Sequence, residues 1–161
     1  MITAKVVQSR KASKGMKELL AGVNKLEKNA VEIGYFDGKQ HEGSGMSLAT
    51  LMTLLEYGSN DGKIPARFAF TQISQTDSPK RNKALKRILK KGISQSLRTG
   101  NSDLLLDALG KKYMKSIRSI FGDTSRLISN AKLTQKLKGR DEPLVDTGEL
   151  LSELTYRKIK N

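Results

Sequence analysis

The sequence predicts an α+β fold in which a small mixed or antiparallel sheet packs with an N-terminal helix and a central helical pair. Apolar residues recur at helical spacing over residues 16–28, and again along two stretches between 79 and 121. Alternating segments lie near both ends, at residues 30–36 and 150–159. A chain of 161 residues is long enough for one core, burying roughly 68–70% of the surface its unfolded form exposes. Residues 1–161 are therefore expected to form a single domain.

The first helix runs over residues 16–28, with Met16, Leu19, Leu20, Val23 and Leu26 on one face and Ser13 as its N-cap, and its stripe is expected to pack on a sheet. The strand 30–36 follows and runs into a turn at Asp37-Gly38. A polar, glycine-rich loop over 37–45 leads to a helix over 46–57, closed by Gly58. After a polar loop, Ile64-Pro65 fixes an extended dipeptide, because a residue before proline is pushed out of the helical region; a brief strand or turn is expected next. Pro79 opens a long helix to about Leu97, with Leu85, Ile88 and Leu89 on its apolar face. Ser102 caps a second helix to about Phe121, the two forming a hairpin. Residues 122–142 read as a weak helix or a flexible loop ordered on assembly. One helical turn from Thr147 then leads into the final strand.

With no cysteine, the chain has no disulfide staple, thiolate zinc site or thiol redox chemistry. No window approaches the ~20 apolar residues of a bilayer span, and the amino terminus lacks an apolar signal core, so no membrane partner is expected. The net charge of +14 is uneven: residues 1–78 carry +2 and residues 79–161 carry +12. Such a field attracts nucleic acid or an acidic protein surface.

No constellation in the sequence points to catalysis, a metal or a cofactor. His41 is the sole histidine, and a metal site needs three or four ligands, so a solvated loop residue is the expectation. Gly43-Ser44-Gly45 lacks the lysine of a phosphate-binding loop and reads as a linker. Asp141, Glu142, Asp146 and Glu149 could supply an acid and a base, but Asp146 or Thr147 followed by an acidic first turn is also a helix start. Lys83, Lys86, Arg87, Lys90 and Lys91 crowd one helix face, suited to DNA, to an acidic partner or to water alone. Arg67, set by Pro65, presents a fork for a carboxylate on a neighbour or caps a helix end in its own chain.

Taken in order, these segments resemble the tail-completion and head–tail joining proteins of long-tailed bacteriophages. The likeness spans about residues 15–160. It rests on Val31-Glu32-Ile33-Gly34-Tyr35-Phe36, a glycine-bearing loop, Leu55-Glu56-Tyr57-Gly58, Ile64-Pro65-Ala66-Arg67, two helices, Leu133-Thr134, and Pro143 to Leu150 before a strand bearing Tyr156. Members of that family usually carry a second proline after the arginine, where this chain has Phe68. The resemblance implies a non-enzymatic virion subunit, made in the host cytoplasm and forming a ring, most often a hexamer, between the tail tube protein and the head connector or stopper. Under it, Ile64, Pro65, Arg67, Phe68, Asp146, Thr147 and Gly148 are the expected subunit contacts. The basic helix would face DNA in the channel or an acidic neighbour. The competing reading is a small basic DNA-binding or packaging accessory protein.

Overall fold

The computed structural model describes residues 14–36 and 38–160. Ser13 and Asp37, expected as a cap and a turn residue, lie outside the described residues. The architecture is α+β, with seven helices and a two-stranded antiparallel sheet among the described residues.

Strand β1, Asn29–Gly34, pairs with β2, Thr155–Lys160, so the sheet joins the segment after the first helix to the C-terminal end of the described chain. Glu32 stands opposite Arg157, and their side chains close a 2.7 Å ion pair, with the guanidinium 4.3 Å above the Phe36 ring. Helix α1, Lys14–Glu27, departs from expectation. It packs chiefly on a later helix, with Gly22 against Leu97, and leaves Met16, Leu19 and Leu20 half exposed rather than seated on the sheet.

Helix α2, Leu48–Tyr57, starts at Ser47, whose hydroxyl accepts the Thr50 N–H, and stops at Gly58. Gly58 has φ of +79°, and a Cβ there would lie 2.7 Å from the Ile64 carbonyl oxygen, so glycine is required. The segment after Arg67, expected as a strand or turn, is helix α3, Ala69–Thr76. No local side chain caps it. Instead the buried Glu56 carboxylate, from α2, accepts the N–H groups of Phe70 and Thr71 at 3.1 and 2.8 Å. That carboxylate satisfies two of the donors every helix start leaves open.

The long basic helix, α4, is Lys83–Thr99, four residues shorter at its start than expected. Pro79 sits in the preceding turn, and Asn82 caps the helix by accepting the Leu85 N–H. Helix α5, Asp103–Arg118, returns as the expected hairpin partner. Its N–H of Asp103 is taken by Asn101, while the Ser102 hydroxyl accepts from Asn29 and so ties α5 to β1. Within 122–142 a short helix, α6, spans Lys132–Lys138. Helix α7, Glu149–Glu153, precedes β2, as the expected helical turn before the last strand.

The core gathers Leu48 and Met52 of α2, Ala69 and Ile73 of α3, and Ile117 with Ile120 at the end of α5. Leu127, Leu144, Leu150 and Leu154 close it from the C-terminal part. No helix among the described residues is long and apolar enough to cross a membrane.

Candidate functional site

The two proline-punctuated segments, far apart in sequence, meet at one cleft of about 190 Å³. Arg67 lies on one side and Asp146, Thr147 and Gly148 on the other, with Leu51, Leu55, Leu144 and Leu150 as apolar walls. The Arg67 backbone is held by its N–H to the Leu55 carbonyl at 2.9 Å.

Arg67 is buried, and it spends part of its guanidinium inside its own chain. Nε donates to the Ile128 carbonyl at 3.1 Å and Nη2 to Asn130 Oδ1 at 3.3 Å. Burial pushes its pKa below the usual arginine value, and the charge of Asp141 draws it back. Asp141 in turn accepts the Asn130 backbone N–H at 2.9 Å and Gln135 Nε2 at 3.2 Å. Arg67, Asn130, Gln135 and Asp141 thus form one latch that fastens residues 128–141 to the loop after α2. The Asn130 amide nitrogen is buried without an acceptor, which costs about 1–3 kcal/mol.

The opposite wall carries its own strain. Leu144, buried beside Pro143, has φ of +64°, a left-handed backbone that costs a branched side chain of order 1–3 kcal/mol. Gly122 donates its N–H to the Pro143 carbonyl and fixes that corner. Past it, Thr147 accepts the Glu149 N–H at 3.3 Å, but the cap position of the helix expected to start at Asp146 or Thr147 falls on Gly148, in the left-handed conformation and without a side-chain cap. Asp146 pairs instead with Lys138 at 3.3 Å.

His41 also lines this cleft and is less solvated than expected, its side chain 18% exposed and Nε2 3.7 Å from Glu149. Nδ1 lies 3.1 Å from both the Ser44 N–H and the Ser44 hydroxyl. The backbone donor already occupies the lone pair that a general base would offer that hydroxyl. The four carboxylates that cluster in sequence are dispersed: Asp141 to the latch, Glu142 to Arg140, Asp146 to Lys138, and Glu149 toward His41. Among the described residues no group of histidine and carboxylate side chains is arranged to hold a metal.

No protein-family model, curated protein or solved structure matches this chain. Of the other expected contact residues, Ile64 closes the 59–64 loop, its N–H to the Ser59 hydroxyl and its carbonyl accepting the Ser59 N–H. Pro65 is half-buried. Phe68 is not among the residues lining the cleft; it is exposed and meets exposed Tyr57 edge-on with centroids 6.5 Å apart. Lys83, Lys86, Arg87, Lys90 and Lys91 are all exposed, and none has an ion-pair partner among the described residues. Asn130 and Gln135 carry no sequence signal of their own, and Asp141 stands out only as one of a run of carboxylates; each acquires its role in the latch from a partner brought in by the fold.

Proposed function

We propose that this chain is a structural virion subunit, forming a ring at the phage neck that completes the tail and joins it to the head connector or stopper. The observation that carries this reading is the convergence of the Arg67 and Asp146–Gly148 segments on one small cleft, flanked by exposed apolar side chains. The cleft lies below the ~300–1,000 Å³ usual for small-molecule sites. Ile128, Leu133 and Leu137, on and before α6, are 57%, 69% and 80% exposed. Surface of that kind is what heterologous contacts in a closed ring cover.

Electron microscopy and light scattering of the purified protein, with and without tail tubes, test the proposal. Closed rings, most simply hexamers, seated on tube ends are expected. A protein that stays monomeric with tubes present, and that is missing from virions, overturns it.

A second reading, a small basic DNA-binding or packaging accessory protein, is favoured by the unpaired cationic face of α4. It predicts salt-sensitive duplex binding by the monomer.

A further inference from the structure

We infer that the Arg67 cleft is a socket for a single acidic side chain, aspartate or glutamate, delivered by a neighbouring copy of this chain. The source of that side chain rests on the ring reading above; the chemistry of the socket stands on its own observations.

The size comes first. At about 190 Å³ the cleft has room for about six waters at ~30 Å³ each, which is the scale of one side chain. The charge comes next. A guanidinium carries five N–H donors, and in Arg67 one goes to Ile128 and one to Asn130. The one carboxylate whose field reaches it, Asp141, is already engaged by Asn130 and Gln135. Three donors of a buried cation therefore remain for whatever fills the cleft. Asn130, 9% exposed and lining the same cleft, adds an amide nitrogen with no acceptor. The rim cation, by contrast, is spent, since Lys138 is paired with Asp146.

An arginine fork between apolar walls selects a planar carboxylate, because both of its oxygens can meet the parallel N–H donors of one guanidinium. Phosphate fits less well: Asp146 and Glu149 line the rim and repel a dianion more than a single carboxylate. Copies of the chain can supply the group. Glu18, Glu27 and Glu42 are exposed and have no ion-pair partner among the described residues.

Side-chain NMR of the full chain with ¹⁵N-labelled arginine and asparagine tests the socket. The probes are N-acetylglutamate α-amide and its neutral isostere N-acetylglutamine α-amide, added at a concentration where the protein is monomeric. The acid is expected to shift the Arg67 Nε–H and Asn130 Nδ2 signals saturably. The neutral amide should leave them in place, and Thr147→Trp, which plugs the exposed rim, should abolish the response. Equal response to both probes, no response, or a response that survives the plug overturns the socket. On raising the protein concentration to form the multimer, the same signals must move in the direction the acid moves them, and lose that shift in a Glu18→Gln, Glu27→Gln, Glu42→Gln protein. A multimer that leaves them at their monomer positions overturns the neighbouring copy as donor. A shift that survives the triple substitution removes those three carboxylates and does the same. Failure to form any multimer strikes the ring reading and the donor with it, while the acid titration still decides the socket.

Discussion

Asp77 is the side chain on which three helices converge. Its N–H ends α3 on the Ile73 carbonyl at 2.9 Å, its carboxylate accepts from the Asn82 amide at the start of α4, and it accepts from Lys112 and Ser116 of α5 at 2.6 and 3.1 Å. Its carbonyl accepts the Tyr113 hydroxyl as well. Burial works against the charged form, but Lys112, Asn82 and Ser116 together hold the pKa below the ordinary 3.8. A carboxyl with a depressed folded pKa contributes stability that is complete above its unfolded value, near 3.8, and is lost as pH falls through the folded one. Asp77→Asn keeps the shape and removes the charge, so a loss of about 1–3 kcal/mol is expected at neutral pH. In a chain of this size each kcal/mol moves the melting point by roughly 2–4 °C. The gap between the two proteins should close below the folded pKa, where the native carboxyl is itself protonated. Urea melts at a series of pH values check this, and a gap that is constant down to acid pH would show that the charge contributes nothing.

Between elements, packing turns on side chains that are missing. Gly110 of α5 is buried beneath Tyr156 of β2, and a Cβ there would overlap the ring. The ring cannot swing aside freely, because its hydroxyl donates to Asp107, one turn earlier on the same helix, at 3.1 Å. Alanine would gain about 1 kcal/mol of helix propensity, yet overpacking costs about 1–3 kcal/mol. Gly110→Ala is expected to destabilise, and to become neutral or stabilising once Tyr156→Ser removes the ring; denaturant melts of the four proteins of that cycle read it, and stabilisation in the native background would refute the contact. The same scale shows what the sequence could and could not convey. The α4–α5 hairpin, α2 with its Gly58 stop, and both strands were legible because periodicity and caps are local. Helix α3 was not, because its N-terminal donors are satisfied by Glu56 from α2, and Phe68 at its cap position offers no acceptor. Pro79 pointed to a helix start that Asn82 makes in its place. Within the cleft, both punctuated segments stood out as turn chemistry, whereas the tie from Arg67 to Asn130 crosses 63 positions and leaves no trace in either neighbourhood.

At the scale of the whole molecule the dominant quantity is charge, and its placement can be measured. At 3.6 residues per turn Lys83, Lys86, Arg87, Lys90 and Lys91 fan over an arc of about 140°, and the eight steps from the first to the last rise about 12 Å. Leu85 and Ser96, both buried, anchor the opposite side of α4. No carboxylate occurs within α4, and the ion pairs among the described residues lie elsewhere. A duplex carries one charge per about 1.7 Å of axis, so 12 Å presents roughly seven phosphates to five cations. If α4 faces DNA, changing the five to glutamine should flatten the slope of log K against log salt by about 2–4 and weaken duplex binding at low salt. The fold should hardly notice, since exposed substitutions shift stability by about 0.5 kcal/mol or less and glutamine keeps helix propensity close to that of lysine. Glutamine at Lys63 and Arg157, whose charges are already matched by Asp61 and Glu32, serves as the control and should leave the slope nearly unchanged. Fluorescence anisotropy on a short duplex across a salt series gives both slopes. If the five-fold variant and the control fall on one line, the basic face of α4 is a solvated surface and the DNA reading loses the observation that favours it.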